Sequence, residues 1–332
     1  MEKVEDLIKK RHIREAIQEC SLNNLKNVKR LLELIYNPTT TTTTTYILVR
    51  LECNWMDSKD LIKLWSKMTP NNDGIWENIK LIDSSYEGDD CYTVIINSPR
   101  TPSFKFNTDK TILFRMEPYM YLDNRWGIWS LPSVKLLKIF SHETDFNNNE
   151  WHLSKTYTQL KTEPIVKSKC LSTVLSSKYF DYGHVKRVDF VKYIENDIDI
   201  DVYGSNEFKY KKYIKSLPNY EKDEAILPYK YTFNAENNEI NNYYTEKIID
   251  GILGECLTFY WGCPNLQTYI DNRAYVMLDL ENFEMSKKLI EFAIKDNWYE
   301  KRLPYIKQAK QKILDELQFF PRLYLFLSNR IE

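Results

Sequence analysis

The sequence predicts an α/β protein with two tandem Rossmann-like domains, each a sheet of strands alternating with helices. Two observations carry that prediction. Strand-like apolar runs alternate with helix-period stretches in two separate series, one starting at Tyr46 and one at Lys169. A length of 332 residues accommodates two cores at roughly 150 residues per domain. The composition agrees, since 43% hydrophobic and 28% charged residues belong to a globular chain rather than a disordered or fibrous one.

Residues 2 to 36 place Val4, Leu7, Ile8, Ile13, Ala16 and Ile17, then Leu25, Val28, Leu31, Leu32, Leu34 and Ile35 at helical spacing, which predicts two short helices. Asn37-Pro38 ends them, and the run from Thr39 to Thr45 has no apolar face to bury. We therefore set a helical extension at 1–38 and a Thr-rich linker at 39–45. A hairpin packed on its own chain and an arm that docks a protein partner both fit the extension. The first α/β domain, 46–165, has strands at Tyr46–Leu51, Ile79–Ile82, Tyr92–Asn97 and Thr111–Arg115 and a helix near Lys59–Met68. The second, 166–300, has strands near Cys170–Leu175, Ile198–Tyr203, Tyr229–Asn234, Leu257–Trp261 and Tyr275–Leu278. Helices near His184–Glu195, Glu207–Ile214, Asn242–Leu253 and Phe283–Lys295 separate them. Trp298–Leu327 reads as a long helix running into Pro321, so 301–332 is expected to pack back across both domains. Tandem α/β domains leave a cleft between them, where such architectures bind ligands.

Several function classes are excluded. Forty-six Lys plus Arg against 47 Asp plus Glu leave a net charge of −1, so no global field draws the chain onto nucleic acid. The eight glycines include no G-x-G pair, which removes the dinucleotide fingerprint, the phosphate loop and the hydrolase nucleophile elbow. His142-Glu143 lacks the second histidine of a zincin helix. The six cysteines form no C-x-x-C pair and read as reduced thiols. The first twenty residues hold no apolar core of signal length, and no stretch reaches the roughly twenty apolar residues of a membrane helix. A cytoplasmic protein is expected.

Chemistry concentrates in 231–250. A strand there ends in a polar loop with Glu236, Asn237, Asn242, Tyr243 and Tyr244, and a helix opens with Thr245-Glu246-Lys247. Unpaired N–H groups in a first helical turn, a lysine and amide side chains together make a diphosphate site without a glycine loop. An ordinary capped helix with solvated Glu and Lys fits equally. Ser177, Lys178 and Arg187 lie between the first strand and helix of the second domain, where Arg187 would form a bidentate phosphate clamp if it faces the cleft. Glu117 follows the strand Thr111–Arg115 in the turn Met116-Glu117-Pro118 and suits a general base if it reaches the acceptor hydroxyl; a solvated turn glutamate also fits. Asp197-Ile198-Asp199-Ile200-Asp201 imitates a D-x-D metal motif, but its alternation fits a strand. Lys209-Tyr210-Lys211-Lys212-Tyr213 imitates a single-strand binder and fits a solvated helix face better.

Three segments together resemble the signature of the α-1,3-fucosyltransferase family, the tenth glycosyltransferase family, in its bacterial and viral branch. They are Ala235-Glu236-Asn237, Tyr243-Tyr244-Thr245-Glu246-Lys247-Ile248-Ile249-Asp250 and Tyr260-Trp261-Gly262-Cys263-Pro264-Asn265. Leu171-Ser172 to Lys178, with Gly183-His184 and Arg187, resembles the family's donor-domain opening, and Phe114–Pro118 resembles the stretch bearing its base. The resemblance covers roughly 46–300 and is strongest from 169 to 280.

The resemblance implies a GT-B fold and a metal-independent inverting transfer from a nucleotide sugar, GDP-fucose, to a glycan hydroxyl, with no further cofactor. It implies Glu117 as the base and Glu246 as the carboxylate beside the sugar. Arg187 and Lys247 would neutralise the diphosphate, with Asn237 and Tyr243 touching the nucleotide and Ser177 and Lys178 beside them. A UDP- or dTDP-linked sugar on the same fold, or a noncatalytic glycan- or nucleotide-binding module, are the alternatives. Thr258 stands where the family more often has proline, which bears on loop shape and donor preference. Richness in Asn, Lys, Ile and Tyr suggests an AT-rich genome, such as that of a large virus, whose protein would work in the host cytoplasm.

Overall fold

The computed structural model describes residues 45–117, 135–143 and 150–331, together with Cys20 and Val28. The chain divides into two units, 1–45 and 46–332. The expected helical pair, most of the Thr tract and any docking of a protein partner by 1–38 lie outside the described residues. Pro118 does too.

In the larger unit the first sheet contains β1 (Ile47–Cys53), β2 (Ile75–Trp76), β3 (Ile79–Ile82), β4 (Tyr92–Ile96), β5 (Thr111–Phe114) and β6 (Lys138–Phe140), in the order β2-β3-β1-β4-β5-β6. All its pairings are parallel except β2 with β3. Strands covered on both faces read as continuous apolar runs, and every residue of β5 is buried accordingly. Helix α1 (Ser58–Ser66) starts where the Asp57 carboxylate accepts the Lys59 amide, and it buries Leu61 and Trp65, one turn apart, on the sheet.

A linking segment that includes α2 (Tyr157–Thr162) leads to the second sheet. That half contains β7 (Lys169–Leu175), α3 (Tyr182–Ile194), β8 (Asp201–Gly204), β9 (Tyr213–Lys215), α4 (Asp223–Ile226), β10 (Tyr229–Ala235), α5 (Glu246–Leu253), β11 (Leu257–Trp261), β12 (Tyr275–Met277) and α6 (Phe283–Lys295). The strands run parallel in the order β12-β11-β10-β7-β8-β9.

The carboxy-terminal segment is two helices rather than one. α7 (Trp298–Lys312) packs on the second sheet, where the Tyr299 amide donates to the Tyr231 hydroxyl at 3.1 Å. A π turn over Ile313–Leu317 and the extended Gln318 then redirect the chain into α8 (Phe319–Ile331). Pro321 falls in the first turn of α8, where its missing N–H costs no helix bond. Phe319 and Phe326 of α8 pack on Trp65 and Phe140 of the first sheet's layer, with ring centroids 4.7 and 5.6 Å apart. Within the apolar run 323–327, Leu323 and Leu327 are fully buried on one face of α8 while Leu325 faces outward. Among the described residues no helix is long and apolar enough to cross a membrane.

Two further expectations change. Glu207–Ile214 is not helical: Lys209 has a left-handed φ of 52°, and Tyr213–Lys215 pairs with β8 instead. The strand expected from Ile198 begins only at Asp201. Ile198 and Ile200 are buried and Asp197 and Asp199 exposed, so the alternation reflects burial ahead of the strand rather than pairing.

Each sheet has one place where successive strands depart in opposite directions, between β1 and β4 in the first and between β7 and β10 in the second. Crevices form at the carboxyl ends of such strand pairs.

Candidate active site

Both crevices open into one cleft of about 710 Å³. Trp55 and Asn97, just beyond β1 and β4, line one wall, and Ser176 and Asn237, just beyond β7 and β10, line the other. The eight residues to which the resemblance gives roles line this cleft: Glu117, Ser177, Lys178, Arg187, Asn237, Tyr243, Glu246 and Lys247.

On the second-sheet wall, α3 begins against the end of β10. The Gly183 amide donates to the Asn237 carbonyl at 3.0 Å. A Cβ at 183 would come to 2.6 Å from the Asn237 carbonyl carbon, so only glycine allows this approach. One turn later Arg187 is 6% exposed. Its guanidinium donates to Asn237 Oδ1 at 3.2 Å and to Ser176 Oγ at 3.0 Å, while its buried Nε has no hydrogen-bond partner among the described residues. His184 packs at a tilt against Phe180 and lies 3.2 Å from Asp181. Burial, reinforced by Arg187, Lys178 and Lys247, pushes its imidazole down to about 3, so it is neutral near pH 7. Ser177 and Lys178 stand exposed at the lip.

The start of α5 is fastened by a buried carboxylate. Glu236, with no exposed surface, accepts the Thr245 amide at 2.9 Å, the Thr245 hydroxyl at 2.7 Å and the Tyr260 hydroxyl at 3.2 Å. Burial raises its carboxyl above the ordinary range. Thr245 caps the helix, and Lys247 Nζ sits 3.0 Å from Thr245 Oγ1, 3.2 Å from Glu246 Oε1 and 3.4 Å from Glu236 Oε2. Glu246 is also desolvated, which pushes its carboxyl up, but Lys247, Lys222 and His152 outweigh this and hold it well below the usual range. Burial drives the Tyr243 phenol far upward, so it stays a neutral hydroxyl.

From the first sheet, the turn after β5 presents Glu117. Asn97 Oδ1 accepts the Met116 amide at 2.8 Å and fixes that turn. Burial raises the Glu117 carboxyl, Lys247 and Lys178 partly offset the rise, and Glu246 and Asp181 add to it.

Other residues of interest sit elsewhere. Asn242 adopts a left-handed φ of 64°, and its side chain is held by Asn265, Tyr269 and the His142 carbonyl, so it shapes the loop without lining the cleft. Thr258 is buried in β11 against Gly251 of α5 and does not line the cleft. Asp201 accepts the Tyr229 hydroxyl at 2.6 Å, and Asp197 pairs with Lys287. No group of three His, Cys, Asp or Glu side chains suited to a metal occurs among the described residues.

The sequence reading missed Lys222, Glu150, His152 and Tyr220, all of which line the cleft. Each stands in a polar stretch with no periodicity. The mixture of Tyr, Lys and acids at 220–224 resembles any solvated loop, and only the fold folds it inward.

Residues 166–302 match the family model described as glycosyltransferase family 10 (fucosyltransferase), C-terminal. A 72-residue segment is 31% identical to an alpha-(1,3)-fucosyltransferase of Helicobacter pylori; it covers 21% of this chain and 15% of the length of that relative. Among solved structures, the chain is similar to a glycosyltransferase from Rickettsia africae, with a TM-score of 0.52 and 9% identity over 86% of this chain and 97% of that one. It is also similar to an alpha1,3-fucosyltransferase crystallised with GDP, with a TM-score of 0.48 and 12% identity over 85% and 94% of the two chains. Residues 166–302, which hold every candidate site residue except Glu117, thus match the C-terminal model of glycosyltransferase family 10 (fucosyltransferase), and the chain has the GT-B fold.

Proposed function

We propose that the protein is an inverting, metal-independent glycosyltransferase that moves fucose from GDP-fucose to a hydroxyl of a glycan acceptor. The observation that carries this reading is the convergence in one cleft of Arg187, Lys247 and the first turn of α5 on one wall with Glu117 on the other. The match over 166–302 to a model described as fucosyltransferase supports the sugar.

The chemistry follows from where charge develops. As the bond between the sugar and the diphosphate breaks, negative charge builds on the leaving GDP and positive charge on the anomeric carbon. Arg187, Lys247 and the helix N-terminus neutralise the first, and side-chain cations in this role support metal independence. The anionic Glu246 stabilises the second. Asn237 and Tyr243 touch the nucleotide, with Ser177 and Lys178 at the lip beside them. The acceptor oxygen bonds to the anomeric carbon on the face opposite the diphosphate, which inverts it, and its proton passes to Glu117. A carboxyl whose affinity for protons is raised by burial is a better base than a solvated one, provided it remains ionised.

Steady-state transfer from GDP-fucose with Arg187→Ala and Lys247→Ala tests the proposal. Loss of a preorganised donor predicts a fall in turnover of ~10²-fold or more in each. Near-normal turnover in both variants would refute it.

A further inference from the structure

The charges around Glu246 extend beyond the pair in the strand–helix motif. Lys222, immediately before α4, places its ammonium 2.8 Å from Asp250 Oδ2 and 3.6 Å from Glu246 Oε1. Asp250 is 1% exposed and lies one turn after Glu246 on α5. Its other oxygen accepts the His152 amide at 2.7 Å, and the Lys222 amide donates to the His152 carbonyl at 2.8 Å. The adjacent Asp223 takes the Ser154 amide at 2.7 Å and the Ser154 hydroxyl at 3.0 Å. Lys222 is thus fixed, through main chain and side chain, to the segment that links the two sheets.

We propose that Lys222 is a positioning residue for the transfer step, holding the Glu246 carboxylate ionised and aimed into the cleft through its joint contact with Asp250 and Glu246. The proposal rests on the role given to Glu246 above. Two carboxylates four residues apart on one helix face repel each other unless a cation lies between them. Lys247 cannot serve both. Its ammonium is already shared among Thr245, Glu246 and Glu236, and a bound diphosphate draws on the same charge. Lys222 is the cation that stays with Glu246 when the donor is bound.

The other groups facing Glu246 are Lys247 on its own helix, Glu236 at the end of β10, Arg187 on α3, His152 in the linking segment and Glu117 after β5. Tyr220 and Tyr243 also face it, both kept neutral by burial. Of the cations, Lys247 and Arg187 are the pair assigned to the diphosphate above.

The test uses the full chain with Lys222→Met and Lys222→Arg. Titration of the Glu246 carboxyl by ¹³C NMR, assigned by its loss in Glu246→Gln, reads the link without any activity. Its midpoint should rise by about one pH unit or more in Lys222→Met, given one opposite charge removed within ~4 Å, and stay near wild type in Lys222→Arg. Transfer kinetics should show turnover at least tenfold lower in Lys222→Met, the acid limb moved to higher pH and GDP affinity within twofold of wild type. If Lys222→Met does not fold because Asp250 is left unpaired, Lys222→Gln, which keeps a donor for Asp250 without the charge, is measured instead. An unmoved Glu246 midpoint in the folded variant would overturn the proposal. Absence of any transfer from GDP-fucose by the wild-type chain would overturn the functional reading instead, while the NMR arm would still decide what Lys222 holds.

Discussion

Gly183→Ala should damage both stability and nucleotide binding, although alanine is ordinarily the better helix residue. The added Cβ would meet the Asn237 carbonyl carbon at 2.6 Å, against about 3.4 Å for an ordinary contact, and would intrude still further on the Glu236 carbonyl oxygen. The neighbours are backbone, so the start of α3 must back away by close to 1 Å. Overpacking of this kind costs about 1–3 kcal/mol. Losing the bond from the Gly183 amide to the Asn237 carbonyl adds about 1 kcal/mol. Better helix propensity returns at most about 1 kcal/mol. The net loss of about 2 kcal/mol corresponds to a Tm lower by roughly 3–4 °C for a unit of this size. Because Arg187 is one turn further along α3, its 3.2 Å bond to Asn237 should open as well. GDP affinity by calorimetry should therefore fall along with Tm by scanning calorimetry. A variant with wild-type Tm and wild-type GDP affinity would show that α3 does not start against the end of β10.

Three other outcomes are expected. Glu117→Gln should retain GDP affinity and lose acceptor transfer, and loss of GDP affinity instead would place Glu117 among the donor contacts. The acid limb of turnover should lie above the range of a solvated carboxylate, because burial raises Glu117, which must be ionised to accept the proton; a limb at the ordinary carboxylate position would count against Glu117 as base. Finally, His184 is held near 3 in the fold against ~6.5 unfolded, so the unfolded chain binds the extra proton and stability is lost as pH falls from about 6.5 toward 3. That amounts to about 2 kcal/mol by pH 5, measurable as a difference in urea stability between wild type and His184→Gln at pH 7.5 and 5, and identical pH slopes would contradict it.

The sequence announced the α/β class because both sheets are built from strands buried on two faces, whose apolar runs survive in any context. Ile79–Ile82, Leu257–Trp261 and Phe283–Lys295 fold over the residues that patterning gave. Patterning failed where tertiary contact overrode local preference. Lys209 takes a left-handed φ and delivers Tyr213–Lys215 to the edge of a sheet, although the same residues have the spacing of a solvated helix. At the site, the Thr245-Glu246-Lys247 cap and Glu117 were legible because each sits where a strand or helix end must meet the cleft. Lys222 was not, since a lysine in a polar loop looks solvated until Asp250 and His152 are seen to enclose it.

The central claim is that this cleft holds a GDP-sugar through Arg187 and Lys247. A thermal-shift panel of the purified chain against GDP, UDP, dTDP, CMP and their sugar conjugates, with and without EDTA, tests it most directly, because a ligand bound by the folded state alone raises Tm. Selective stabilisation by GDP and GDP-fucose that survives EDTA and disappears in an Arg187→Ala/Lys247→Ala variant is expected. Stabilisation that needs a metal, that favours UDP or dTDP conjugates, or that persists in the double variant would contradict it.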